Sequence, residues 1–251
     1  MLNKVPQVTL WFWIVKVLST TVGETGADYL AVHVGLGTVV TGAVMGALLI
    51  AALVLQVRAR QYVPWVYWLC VVLVSIVGTQ ITDALTDGLG VSLYLSTAVF
   101  AVVLAAIFGA WYRSERTLSI RTIFTRRREL FYWAAILFTF ALGTAAGDLA
   151  TEALGLGFQL GVLVFGAVIA CAALAYVLGA SEVLTFWIAY IFTRPLGASL
   201  GDLLSQAREY GGLGFGTAAT SAIFLAFIVG IVVLMTRQQL KGAPHAQVEV
   251  R

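Results

Sequence analysis

Apolar runs of membrane-crossing length alternate with short polar breaks along the whole chain. A bilayer-spanning helix takes roughly 20 mostly apolar residues, and the pattern predicts eight such helices, near 8–30, 38–57, 64–86, 91–112, 130–152, 158–179, 183–206 and 216–237. They fall into four pairs. The first helix of each pair, termed A, holds the charge within the runs: Lys16, Glu24, Asp28, Asp83, Asp87, Asp148, Glu152, Arg194 and Asp202. A charged side chain near the bilayer centre costs about 2.5–3.5 kcal/mol on insertion scales, so A helices are expected inside the bundle and the apolar second helices, termed B, outside. Polar positions also keep helical spacing. Lys16, Thr20, Glu24 and Asp28 recur every fourth residue, and Thr79, Asp83 and Asp87 do the same in the second pair.

The pairs are copies of one another. Trp13, Trp68, Trp133 and Trp187 are each followed ten residues later by glycine (Gly23, Gly78, Gly143, Gly197) and fifteen residues later by aspartate (Asp28, Asp83, Asp148, Asp202). Two spans per copy make all four A helices run in the same direction, so the repeats are parallel. The predicted fold is therefore all-α and polytopic, with eight transmembrane helices as four parallel two-helix repeats. Repeats 1 and 2 occupy 1–112, a basic linker 113–128, repeats 3 and 4 129–238, and a tail 239–251.

Composition narrows the class. Hydrophobic residues make up 61% of the 251 positions and charged residues only 11%, against about 25% charge in soluble domains. The short loops leave no room for a soluble catalytic domain. Cys70 and Cys171 are too few for a disulfide framework or a thiolate metal site. The first apolar run contains Lys16, Glu24 and Asp28, so it reads as a span and not as a cleavable signal.

Charge is distributed unevenly. Lys4, Arg58, Arg60, Arg113, Arg116, Arg121, Arg126, Arg127, Arg128, Arg237, Lys241 and Arg251 share one side, and the opposite loops offer only Arg208. The positive-inside rule then puts both termini in the cytoplasm. The linker's sign suits contact with anionic lipid headgroups.

The W-x9-G-x4-D pattern, its four two-span copies and the opening KVPQVTLWFWIVKVLSTTVGETGADY resemble a bacterial family of integral-membrane proteins defined by a tandem repeat of unknown function with a characteristic tryptophan. The resemblance runs from Lys4 to about Gln238. It implies this architecture and a bacterial inner-membrane location, and it brings no established substrate.

Candidate chemistry lies on the A helices. Asp28, Asp83, Asp148 and Asp202 sit ~22 Å of helix beyond the tryptophans, either as a shared ring or as polar ends of spans at the headgroups. Together with Glu24 they are candidate ligands for a hard cation, magnesium, manganese, calcium or sodium, or for protons. Glu24 and Lys16 occur in the first repeat only, on one stripe with Thr20. Lys16 either snorkels to the interface or meets a partner on another helix. In the fourth repeat Pro195 is expected to kink the helix and free the Ile191 carbonyl, and Arg194 is expected to pair with Glu24, Asp28 or Asp148. The repeat glycines, with Gly42 and Gly46, suit close helix packing. The repeat tryptophans suit an interfacial belt or packing wedges.

Glu24 and the four aspartates against Lys16 and Arg194 make the inner surface net acidic, which attracts cations. The expectation is a membrane transport protein, a proton-coupled secondary transporter of a hard cation or small cationic solute. It is not expected to be an enzyme, because P-loop, HExxH, G-x-S-x-G and dinucleotide motifs are absent. Expected partners are membrane lipids and a small cation, with no nucleic acid; an oligomer is open. One alternative is a sensor or assembly subunit with a structural polar network. Another is an anionic-substrate carrier using Lys16 and Arg194.

Overall fold

The computed structural model describes residues 3–242, all of them helix, turn or coil, with no strand among them. Most of the expected 239–251 tail lies outside the described residues. Eight long helices follow in order: α1 Leu10–Asp28, α2 Gly37–Arg58, α3 Pro64–Asp83, α4 Leu93–Glu115, α5 Arg126–Asp148, α6 Gly157–Val177, α7 Glu182–Ser205 and α8 Thr217–Gly242. The A helices are thus α1, α3, α5 and α7.

Local sequence explains the A-helix starts. Thr9, Thr125 and Ser181 accept the backbone N–H three residues on with their side-chain oxygens, and Pro64 opens α3 where its missing N–H costs nothing. The Thr125 cap draws Arg126, Arg127 and Arg128 out of the linker and into the first turn of α5. At the other end, three A helices pass directly from their aspartate into one π-helical turn: Asp28 into Tyr29–His33, Asp83 into Ala84–Gly88 and Asp148 into Leu149–Ala153. Each turn closes with an i to i+5 bond, such as Val34 N–H to the Tyr29 carbonyl at 2.9 Å. α7 has no such turn and stays α-helical to Ser205. Single π-turns inside helices concentrate at functional sites.

Seven of the eight helices are long and apolar enough to cross a membrane. The exception is α1. Lys16, Glu24, Asp28 and a run of Ser19, Thr20 and Thr21 dilute its hydrophobicity. Eleven of its nineteen residues are buried, and α3, α7 and α8 pack against it.

The four A helices contact one another in the cyclic order α1, α3, α5, α7 and back to α1. Each B helix leans on the A helix of the following repeat: α2 on α3, α4 on α5, α6 on α7, and α8 on α1. In α3, α5 and α7 between 61% and 67% of the spanning segment is buried, compared with 17% in every B helix.

Two sets of contacts repeat around this ring with constant sequence offsets. A Cβ added at Gly23 would overlap Ser75, at Gly78 it would meet Phe140, at Gly143 Arg194, and at Gly197 Thr20. Each partner lies seven residues after the next repeat's tryptophan. The conserved-offset glycines therefore permit backbone approach at all four seams of the ring, as small residues do between membrane helices.

The second set is aromatic. The residue before each repeat tryptophan, Phe12, Tyr67, Tyr132 or Phe186, is buried and packs on the next repeat's tryptophan. Ring centroids are 5.7 Å apart for Phe12–Trp68, 5.5 Å for Tyr67–Trp133, 6.4 Å for Tyr132–Trp187 and 5.6 Å for Phe186–Trp13. The Tyr67 and Tyr132 hydroxyls meet at 2.5 Å. This belt fills the ring near the A-helix N-termini, so the repeat tryptophans act as packing wedges.

Below the belt, the N-terminal segment folds across the base. Lys4 Nζ donates to Glu129 Oε2 at 2.6 Å and to the Val57 carbonyl at 2.9 Å, and Gln56 Nε2 donates to Glu129 Oε1 at 3.0 Å. Lys4 was expected among the basic surface residues. It is instead buried against a fully buried carboxylate, because tertiary folding brings together residues 125 positions apart.

α7 runs through Pro195 as one helix, and because proline has no N–H the Ile191 carbonyl lacks its helical donor, as expected. Pro195 packs against Gly143 and Gly147 of α5. Nearby carbonyls are supplied by hydroxyls: Thr193 Oγ1 donates to Tyr190 O at 2.6 Å and Thr20 Oγ1 to Thr193 O at 3.1 Å. Such hydroxyls re-satisfy backbone groups that a proline disturbs.

Candidate functional site

The C-terminal ends of the A helices surround a cavity of about 370 Å³. Glu24, Asp28, Asp83, Asp148 and Asp202, all candidate site residues from sequence, line it together. Asp87, Glu152, Thr86 and Gln206 join them, giving seven carboxylates and no basic side chain on the lining among the described residues. Burial grades from the floor outward. Glu24 and Asp202 are buried, Asp28, Asp83 and Asp148 half-buried, and Asp87 and Glu152 exposed at the mouth.

Asp28, Asp83 and Asp148 are the last α-helical residues of α1, α3 and α5, and each helix runs on through five π-helical residues. Like charges gathered around one cavity repel one another, and a counter-charge offsets part of that repulsion.

One counter-charge sits beneath the floor. Arg194 Nη2 donates to Glu24 Oε2 at 2.5 Å and to Thr79 Oγ1 at 2.5 Å, and Nη1 donates to the Thr20 carbonyl at 3.4 Å. Of the three carboxylates proposed from sequence as its partner, Glu24 is the one it meets. Its stem passes Gly143, where any side chain would collide with Arg194 Cβ and Cγ. The repeat glycine of α5 therefore makes room for the guanidinium that organises the site.

Above the arginine, carboxylate oxygens of Glu24, Asp28 and Asp202 all lie within 4.8 Å of one another. Oxygens on opposite sides of one calcium ion are ~4.6–5.2 Å apart, whereas around magnesium the span is ~4.0–4.2 Å. Three carboxylates from α1 and α7 thus lie close enough together to share one hard cation, of calcium or of magnesium size. The cavity also has room for water, a single molecule of which needs ~10–15 Å³ of such volume.

Lys16 and Thr20 are not in the lining. Thr20 serves as the seam contact of Gly197 and offers its carbonyl to Arg194. Lys16 is 1% exposed, and its Nζ sits 3.9 Å from the Phe140 ring centre and 4.2 Å from that of Tyr190. Its ammonium has no hydrogen-bond partner among the described residues. The aromatic faces supply the attraction, so the partner anticipated on another A helix is a pair of rings and not a carboxylate.

Asp87, Glu152 and Gln206 share a signal that points to the site: each lies nineteen residues after its repeat tryptophan, four beyond the aspartate. In the first repeat that position is Val32, which is exposed. Gly46 meets nothing within 4 Å and Gly42 only Gln80 Cβ at 3.7 Å, so that small-residue pair does not form a tight seam. His33 is exposed at the turn between α1 and α2, with Nδ1 3.3 Å from Thr217 Oγ1.

Comparison with known proteins adds a family and no neighbour. No curated protein and no solved structure matches the chain. The family model described as Repeat of Unknown Function (DUF347) matches at residues 11–62, 66–117, 131–180 and 185–240. Each match takes in one repeat tryptophan, glycine and aspartate with both helices of its pair, and the four together cover most of the chain: this protein belongs to that repeat family.

Proposed function

We propose that this chain is a membrane transport protein, a proton-coupled secondary transporter of a hard cation or a small cationic solute, set in a bacterial inner membrane with both termini cytoplasmic. In this reading the polar A helices form the inner ring, the B helices face lipid, and α1 crosses the bilayer sheathed by its neighbours. The carrying observation is the convergence of seven carboxylates on one cavity above a buried Arg194–Glu24 pair.

The chemistry follows from that pair. Arg194 is a resident cation at the deepest carboxylate, and an incoming cation coordinated by Glu24, Asp28 and Asp202 competes with it. Binding and release of the guanidinium then couple the occupancy of the cavity to the packing of α7 against α5 and α1. Protons compete for the same carboxylate oxygens, which gives a physical route to coupling. Oxygen ligands, with no cysteine or histidine on the lining, favour calcium, magnesium, manganese or sodium over soft metals. Among the described residues the charged groups on the cavity lining are all acidic, which favours a cationic substrate over an anionic one carried by Lys16 and Arg194.

The belt of Phe12, Tyr67, Tyr132, Phe186 and the repeat tryptophans fills the other end of the ring. A ring filled at one end and hollow at its acidic end supports the carrier reading. Reconstitution into proteoliposomes tests the proposal. Uptake of radioactive calcium or manganese, driven by an imposed proton gradient, is expected in the wild type and is expected to fall at least tenfold in Glu24→Gln. Equal uptake by the two proteins, or none above empty liposomes for any hard cation, contradicts it.

A further inference from the structure

The ring has four outward crevices, each between a B helix and the A helix that follows the one it leans on. Three are closed by the chain itself. Where α8 faces α3, the helices pack directly. Between α2 and α5 the N-terminal segment is inserted, with Lys4 and Val5 buried and Lys4 tied to both helices. Between α4 and α7, Trp111 and Phe108 pack on Trp187 at 5.9 and 4.8 Å, and Trp187 Nε1 donates to the linker carbonyl of Leu118 at 3.0 Å. The fourth, between α6 and α1, holds a cavity of about 400 Å³.

We propose that this open crevice binds one anionic diacyl phospholipid. Its walls are apolar, with Ala172, Ala173 and Tyr176 from α6, Leu10 and Trp13 from α1 and Phe186 from α7. It lies among exposed apolar side chains, Leu10, Trp11, Val177 and Leu184, on a flank that faces acyl chains in a spanning protein. An acyl chain is the occupant that this environment supplies at high concentration and that matches a mostly apolar wall.

The rim selects the headgroup. Arg121 is the one basic side chain on the crevice lining and is largely exposed; in sequence it lies between Arg113 and Arg116 at the end of α4 and Arg126, Arg127 and Arg128 at the start of α5, of which Arg127 and Arg128 pair with Glu115. Glu182, 2.6 Å from Arg121, is the one acidic group on the lining. The arginine excess at this end complements a phosphatidylglycerol or cardiolipin headgroup, since each basic residue near a lipid surface contributes about a fivefold gain in binding to anionic lipid. In this protein the basic linker therefore holds one lipid in place as well as marking a membrane face.

Native mass spectrometry of the detergent-purified chain, titrated separately with dioleoyl phosphatidylglycerol and dioleoyl phosphatidylcholine, tests the site. One phosphatidylglycerol per chain should survive under conditions that strip phosphatidylcholine. Ala173→Trp, which fills the crevice, should abolish that adduct, and Arg121→Glu, at an exposed rim where folding is insensitive, should weaken it by about tenfold or more. Equal retention of the two lipids, or an adduct unchanged by Arg121→Glu, overturns the proposal. The acidic cavity lies at the opposite helix ends, so cation uptake is unaffected by either outcome.

Discussion

Gly143 stands directly against the stem of Arg194, and that close approach lets the guanidinium reach Glu24 and Thr79. A methyl group there would lie 2.6 Å from both Arg194 Cβ and Cγ. Gly143→Ala should therefore displace the arginine and destabilise the protein by about 1–3 kcal/mol, the usual cost of overpacking. Gly46→Ala, with nothing within 4 Å, should be neutral or stabilising, because alanine is the better helix former by about 1 kcal/mol. Thermal unfolding of the two variants in one detergent checks the contrast. Equal losses would remove Gly143 from the site's architecture.

The Arg194–Glu24 pair should be strongly coupled. Removing one partner leaves the other buried without compensation, at about 3–5 kcal/mol. Glu24→Gln and Arg194→Met should each be costly, while the double variant should be less destabilised than the sum of the two. A double-mutant cycle on unfolding free energies measures the coupling. Additive losses would show that the two charges are held independently.

Two salt bridges of the same 2.6 Å length should behave differently. Lys4–Glu129 has side chains 8% and 0% exposed, whereas Arg121–Glu182 has 65% and 44%. Glu129→Gln should cost about 3–5 kcal/mol, and Glu182→Gln about 0–1 kcal/mol with the remainder screened by salt. Comparing melting temperatures at low and high salt settles the difference.

Helix count, pairing and repeat were legible because they rest on local periodicity. The predicted ends of α6 and α7 lie within two residues of the observed ones. The acidic ring was legible too, since W-x9-G-x4-D carries each aspartate to the same depth. The seats of the basic groups were not. Lys4 finds Glu129 across 125 positions, and Lys16 rests on rings from α5 and α7, relationships that no pattern within one helix encodes. Phe12, Tyr67, Tyr132 and Phe186 precede the tryptophans in every copy, yet only the ring shows that each serves the next repeat. The π-turns that follow three of the aspartates carry no composition signal that separates them from α-helix.

Hard-cation binding at the proposed site should depend on ligand number. Asp202→Asn removes a buried member of the three-carboxylate set, whereas Asp87→Asn alters only the exposed mouth. The first should weaken hard-cation binding far more than the second, and similar effects would point to a diffuse acidic funnel without a defined ion position.

The central claim is that Glu24, Asp28 and Asp202 hold one hard cation. Isothermal titration of calcium into the purified protein, wild type against Asp28→Asn/Asp202→Asn, tests it most directly. The account predicts one saturable site per chain in the wild type and its loss in the double variant, with both proteins folded by circular dichroism. Saturable binding that survives the double substitution, or its absence from the wild type for calcium, magnesium and manganese alike, would contradict it.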